Sequence, residues 1–572
     1  MIKALAGVKK QIEEINEYEK KIGPECNLSQ FQSTLENFNK LRQAQNAVAL
    51  AKQNKPNSSG NKKIVEPTDA QLVANFMEWM KGKGFDETKC KVKIDRNLSE
   101  GTGLVATQDI KEGEDFVEIP NNTFITTFVA FEGLGKPQVL ENDRLIQSIP
   151  GILLSIFLVK ELSNPNSDWA PYIKVLPKQY NTVYYWGLKE FTQLRGSPSL
   201  EYAMRYVRGA MRQYCYLYSV IDRTQSNIMP ISSFTWDAFV WAISTVQSRQ
   251  NPVYAGNGSI MALIPFWDFC NHSSAGNKIT SFYHPETNSM TSGAIKDFKK
   301  GEQVYMFYGP RDNTQLLMHA GFATKTNLHD SYPFELHLLE GNHEIRHDKI
   351  HLLEERGIRD NIVVNLNQNP SSNELPLELI PFYRIYALSE QETRAIAPPQ
   401  VPGEHNHHHS QNLELKPLAF QILTKENEEK AYANLLQALK GKLSSYPTTL
   451  EEDEQELKKN PPADQRFILY HKINEKKILD RNIKYIESLV KKGVMNVTFK
   501  LPELKEQSTT DDHHEHGDNC NHDHEESHGH SHGGKDGSHG HSHGGNDDNH
   551  GHSHGGNGGH GHSHQHGANC NH

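Results

Sequence analysis

The stretch LIPFWDFCNHSS, Leu263 to Ser274, runs apolar for several residues and then stops at Asp268, Cys270, Asn271 and His272. Polar residues that end a core pattern abruptly mark a place where something other than core must be met. Cys270 and His272 do not have the spacing of a zinc-binding pair, and no second Cys/His pair follows in the region with folded-domain composition, so Cys270 reads as core. Most of the 32 histidines lie elsewhere, in a terminal tail of HGHSHGG repeats.

Three further segments share this interrupted character: EGTGL (Glu100 to Leu104), SRQNP (Ser248 to Pro252) and YMFYGPRDN (Tyr305 to Asn313). Gly101 and Gly103 are followed by no helical pattern, so the dinucleotide-binding fingerprint fails and a tight turn is the plain reading. Arg249 and Asn251 stand at the end of an amphipathic helix that carries Trp236, Val240, Ile243 and Val246 on one face. Pro252 disfavours helical geometry for Asn251, which is expected to project its amide from an irregular turn.

Around these segments the chain divides by pattern. Residues 1–65 read as a helical extension of one or two amphipathic helices, followed by a linker at NKPNSSGNKK (Asn54 to Lys63). Residues 66–330 begin with the capping-box pattern Thr68 to Gln71 and continue as short strands broken at Gly101, Gly103 and Gly113. A long helical insert at about 130–255 precedes a second β stretch from Leu263 to Tyr308. Residues 331–501 read as all-helical, with a second capping box at Thr448 and Glu451 and a surface insert, GEHNHHHSQN, between helices. Residues 502–572 form a His/Gly-rich tail whose composition cannot make a packed core.

The net charge is −10, and almost all of it sits in the tail, where ten acidic residues face a single lysine from 511 onward. The remainder is close to neutral, which is no footprint for a nucleic-acid binder. No run of about 18 apolar residues could span a bilayer, and the start MIKALAGVKKQIEE lacks a signal-peptide apolar region. Six scattered cysteines fit a reducing compartment, cytoplasm or nucleus.

The order of the segments, together with GLVATQDIKEGE and KKGEQVYMFYGPRDNTQLLMHAGF, resembles the SET-domain actin-histidine N-methyltransferases over roughly residues 66 to 500. The resemblance implies an α+β fold: a β-rich SET domain with a threaded pseudo-knot and long helical insert, then an all-α substrate-binding domain and a disordered tail. It also implies S-adenosylmethionine as methyl donor, bound by Glu100, Gly101, Thr102, Arg249, Asp268, Asn271, His272 and Tyr308. Arg249 would hold the donor's carboxylate, which a guanidinium recognises well. His272 would belong to the Asn-His motif and act neither as metal ligand nor as general base. Tyr308 would sit at the methyl-transfer channel, Asn251 and Trp267 would shape the catalytic and substrate pocket, and Arg311 would contact the substrate backbone. Asp69 stands where this family has a cofactor-contacting arginine, and Ala320 where it has a serine.

The same fold class holds lysine methyltransferases resembling the Rubisco large-subunit enzyme, so the target must be argued from chemistry. An imidazole with a pKa of about 6.5 already offers a lone pair at neutral pH, whereas a lysine near 10.4 must first lose a proton. A side-chain amide oxygen such as that of Asn251 can accept the imidazole N–H and fix the tautomer. This chemistry favours histidine over lysine, and the resemblance implies that the histidine belongs to actin; the expected enzyme is a monomer without nucleic-acid or membrane partners. A lysine methyltransferase and a non-catalytic SET-derived binding protein are the alternatives. In the tail, imidazoles two residues apart suit a divalent metal ion, while the catalytic region needs none.

Overall fold

The structure, a computed structural model, describes residues 2–53, 67–149, 151–224, 227–255, 258–339, 341–370, 375–397 and 415–493. The linker Asn54 to Lys63, the insert GEHNHHHSQN and the histidine tail lie outside the described residues.

Two helices, Ile2–Ile22 and Leu28–Gln53, form the N-terminal extension and pack on each other. The next helix, Asp69–Gly82, starts where the sequence places it: Thr68 accepts from the Gln71 amide and the Gln71 side chain accepts from the Thr68 amide. Twelve strands follow among the described residues. The first six are β1 (Val92–Leu98), β2 (Gly101–Ala106), β3 (Asp115–Pro120), β4 (Ile125–Thr126), β5 (Gln250–Ala255) and β6 (Gly258–Leu263). The others are β7 (Asn271–His272), β8 (Ser281–His284), β9 (Ser289–Gly293), β10 (Gln303–Met306), β11 (Ser331–Leu336) and β12 (Ile362–Asn367).

They form small sheets of order β1-β2-β10-β7, β3-β9-β8, β4-β6-β5 and β11-β12. In the first, β10 runs antiparallel to β2 and parallel to β7, with Tyr305 beside Asn271 and Met306 beside His272. This crossing brings residues far apart in sequence to one point, because the chain leaving β10 at Phe307 passes directly beside the Asn271–His272 pair. The helical insert between β4 and β5 includes Ile152–Leu162, Ser199–Arg223 and Trp236–Arg249. In the last of these Trp236, Val240, Ile243 and Val246 are all buried, as the apolar period requires.

Several expectations are corrected. Gly103 does not break a strand, since it lies in β2 opposite Asp95, whereas Gly101, at φ +96°, does follow a tight turn at Ser99–Glu100 and opens β2 opposite Leu98. Asn251 lies in no irregular turn but in β5, opposite Ala262, and Pro252 is tolerated because β5 is an edge strand that offers its free side to the missing N–H. The apolar run of Leu263 to Phe269 is not one strand. β6 ends at Leu263, Phe266 takes φ +75°, and Trp267–Phe269 make a 3-10 turn. The region after residue 330 is mainly helical but also carries the β11–β12 ladder, in which Tyr332, Phe334 and Leu336 face inward with period two. The capping box expected at Thr448 and Glu451 is one residue later, at Thr449 and Glu452, because Thr448 instead bonds Asp453.

Two hydrophobic cores result. One joins the N-terminal helices, the insert and the sheets through β10, and the other is built only of residues between Tyr332 and Leu489. The helix Ala463–Lys492 serves both, with Ile468 in the first core and Ile478, Leu479 and Ile486 in the second.

Candidate active site

The parallel contact of β7 and β10 builds the centre of the site. His272 Nδ1 accepts the Tyr308 backbone N–H at 3.2 Å, so Nδ1 carries the lone pair and Nε2 the proton. Burial, with Arg311 and His329 nearby, lowers this imidazole to about 4, which keeps it neutral. It packs against the Tyr308 ring with centroids 5.0 Å apart. The Tyr308 hydroxyl donates to the Cys270 carbonyl at 2.8 Å, and burial pushes the phenol well above its ordinary range. Arg311 Nε donates to the Tyr308 carbonyl at 3.1 Å.

Asn271 faces the other strand. Its Nδ2 donates to the Thr102 carbonyl at 3.1 Å and to Gln303 Oε1 at 2.8 Å. Gln303 Nε2 in turn donates to Glu100 Oε2 at 3.0 Å and to the Tyr305 hydroxyl at 2.6 Å. Burial would raise the Glu100 carboxyl, but hydrogen bonds from Ser99 and Gln303 outweigh it and hold it below the usual carboxylate range. Glu100, Thr102 and Asn271 are thus one connected polar row. Gly101, with φ +96°, turns the chain into β2, a conformation that favours glycine.

Arg249, the last residue of the helix Trp236–Arg249, turns toward Asp268 in the 3-10 turn. Its Nη1 donates to the Asp268 carbonyl at 2.7 Å and lies 3.4 Å from Oδ2. Tyr172, from the helix Ala170–Val175, donates its hydroxyl to the same Oδ2 at 2.5 Å. Asp268 is pushed up by burial while Arg249 pulls it down. Asn251 Nδ2 donates to the Arg249 carbonyl at 3.1 Å, which leaves its amide oxygen as the group able to accept from a substrate. The buried Trp267 donates its indole N–H to Ser281 and Ser292 at 3.2 and 3.3 Å.

Arg249 Nε, Asp268 Oδ1 and His272 Nε2 are among the polar atoms in this region that are buried without a hydrogen-bond partner. Such atoms are costly unless a ligand or water meets them. A cationic donor beside an anionic acceptor complements the carboxylate and ammonium of an amino-acid zwitterion, which is one end of S-adenosylmethionine. The residues present therefore fit that group.

Sequence reasoning missed Gln303, Tyr305 and Tyr172. The first two were findable, because they alternate with the buried Val304 and Met306 on β10 and so share a face. Tyr172 carries no such signal, being 96 residues from the aspartate it meets. The two departures are placed as well. Asp69 is exposed and lies 3.5 Å from Arg96, and Ala320 ends a π-helical turn before Gly321.

The SET-domain family model matches residues 101–309, and the Rubisco LSMT substrate-binding model matches residues 340–479. The actin-histidine N-methyltransferase of Danio rerio is 32% identical over 396 residues, covering 68% of this chain and 64% of that relative. The actin-histidine N-methyltransferase of Xenopus tropicalis is 32% identical over 415 residues, covering 72% and 69%. The chain thus spans about two thirds of the length of these curated relatives. The solved SET domain of LSMT bound to lysine and AdoHcy shares the fold, with a TM-score of 0.60, 21% identity, and 74% of this chain and 93% of that one covered. Rubisco LSMT bound to AdoMet gives 0.57 at 22% identity, with 74% and 92% covered. On the strength of both domain matches and of this identity along most of its length, the chain belongs to the family of the SET-domain actin-histidine N-methyltransferases.

Proposed function

We propose that this protein transfers a methyl group from S-adenosylmethionine to a ring nitrogen of a histidine of actin. The observations that carry the reading are the junction of Asn271–His272 with Tyr308 and, next to the Arg249 that meets Asp268, an Asn251 whose amide nitrogen is already engaged. Its relatives of 31 to 33% identity bear the name of that activity.

S-adenosylmethionine supplies a methyl group made electrophilic by a sulfonium. Glu100, Gly101, Thr102, Asn271 and His272 would hold the donor along the β2–β7 row, and Arg249 and Asp268 would hold its amino-acid end. The amide oxygen of Asn251 accepts the imidazole N–H of the substrate, which leaves the lone pair on the other nitrogen for attack. Tyr308, tied at its hydroxyl to the Cys270 carbonyl and at its amide to His272, supplies a rigid wall that orients the two reacting atoms. Trp267, locked by two serines, limits the width of the pocket, and Arg311 contacts the substrate backbone. The proton released after transfer leaves from the imidazolium product to solvent, so no buried base is required. The free thiols among the described residues support a reducing compartment, cytoplasm or nucleus.

The test is mass spectrometry of actin after incubation with purified protein and S-adenosylmethionine. One added methyl on a single histidine is expected. Asn251→Ala and Tyr308→Phe should each slow the reaction on the order of a hundredfold through lost alignment. Methyl-lysine instead of methyl-histidine would overturn the substrate assignment, and absence of both product and donor binding would leave a non-catalytic binding protein.

A further inference from the structure

The Arg249–Asp268 pair has an unusual geometry. An arginine and a carboxylate left to themselves favour a two-pronged contact in which both oxygens meet the guanidinium. Here only Oδ2 faces Arg249, at 3.4 Å, while Oδ1 and Arg249 Nε are both buried without a partner. Tyr180, whose hydroxyl receives Thr245 Oγ1 at 2.9 Å, adds its field to that of Asp268 and Tyr172 around the guanidinium.

What holds the carboxylate in this one-pronged position is Tyr172. Its side chain is fully buried, its ring packs 6.1 Å from that of Phe76, and its hydroxyl donates to Oδ2 at 2.5 Å. A donor so placed fixes which oxygen is occupied and opposes rotation of the carboxylate about its Cβ–Cγ bond. Without the hydroxyl, the carboxylate is free to turn onto Arg249 with both oxygens and satisfy Nε as well.

We propose that Tyr172 is a positioning residue that keeps Asp268 Oδ1 and Arg249 Nε available to the zwitterionic amino-acid end of the methyl donor. Asp268 Oδ1 would accept from the ammonium and Arg249 Nε would donate to the carboxylate. The inference rests on the methyl-donor reading above and adds a residue from the helical insert, which touches neither substrate nor donor itself.

The test compares two ligands by calorimetry on the full chain. S-adenosylhomocysteine keeps the amino-acid end, and 5′-methylthioadenosine lacks it. In Tyr172→Phe, affinity for S-adenosylhomocysteine should fall about tenfold, as loss of a charge-assisted hydrogen bond predicts, while affinity for methylthioadenosine stays unchanged. Phe76→Leu serves as the packing control. It disturbs the ring but keeps the hydroxyl, and should shift the two ligands equally if at all. Equal losses for both ligands in Tyr172→Phe, or no loss for either, would overturn the positioning role while leaving the methyl-donor reading intact. Failure of the wild-type protein to bind S-adenosylhomocysteine would overturn both.

Discussion

His272 shows how a single residue in this site is tuned. Its Nδ1 receives a backbone N–H and its surroundings are apolar rings and the cationic Arg311, so protonation is opposed from every side. The folded state binds this proton less tightly than the unfolded chain, whose imidazole titrates near 6.5. The resulting stability is complete above that pH and is lost as pH falls toward 4, an effect of about 3 kcal/mol. Asp330, pushed up to about 6 by burial, acts with opposite sign over much of the same window. The measurable quantity is therefore the difference in unfolding free energy between wild type and His272→Gln, followed by urea denaturation from pH 7 to pH 4.5. That gap should narrow as pH falls; a gap independent of pH would contradict the buried neutral imidazole.

At the scale of elements, the β2–β10 ladder explains a glycine. A Cβ on Gly103 would stand 2.5 Å from Gln303 Oε1, 2.7 Å from Leu98 Cδ1 and 2.8 Å from Asn271 Nδ2. Gly103 is thus the residue that lets the Asn271 amide approach β2 and reach the Thr102 carbonyl. Overpacking of this kind costs about 1–3 kcal/mol, and here much of it would fall on Asn271. Gly103→Ala is expected to weaken S-adenosylhomocysteine about tenfold or more with little change in the far-ultraviolet circular dichroism. Unaltered binding would mean that Asn271 does not need this contact. The left-handed Phe266 belongs to the same scale. Holding a bulky residue at φ +75° costs about 1–3 kcal/mol, and the sharp turn it makes after β6 presents Trp267 and Asp268 instead of continuing the strand.

Across the whole molecule, the N-terminal helices are joined to the insert by a buried ion pair. Arg208, on Ser199–Arg223, donates through Nε to Glu19 at 3.0 Å and also caps the first helix through the Gly23 and Pro24 carbonyls at 2.6 and 2.8 Å. Removing one member leaves the other charge buried and unpaired. Glu19→Ala should therefore destabilise the protein by about 3 kcal/mol or more, read as a lower urea midpoint; a change below 1 kcal/mol would mean that the pair is solvated in solution. The histidine tail belongs to this scale by its composition. Deleting residues 511–572 is expected to leave methylation unchanged and to weaken retention on immobilised nickel to what the shorter His405–His409 cluster supplies; in the full chain retention should fall below pH ~6.5 as imidazoles protonate. Loss of methylation on deletion would tie the tail to catalysis.

Much of the site was legible because its signals are local. An apolar run that stops at Asp268, a helix that ends at Arg249 and a proline after Asn251 are all visible in a few residues of sequence, and the capping box at Thr68 has a fixed local geometry. The linear order of these blocks carries the resemblance to the SET-domain family, and with it the expected architecture. Local pattern failed where a neighbour outvoted propensity. Gly103 reads as a turn residue but is held in β2 by β1, and Asn251 reads as a loop residue but is paired by β6. Only the tertiary structure decided that Gln303 links Asn271 to Glu100 and that Tyr172 holds Asp268, because hydrogen bonds between side chains dozens of residues apart depend on chain crossing and leave no periodicity to read.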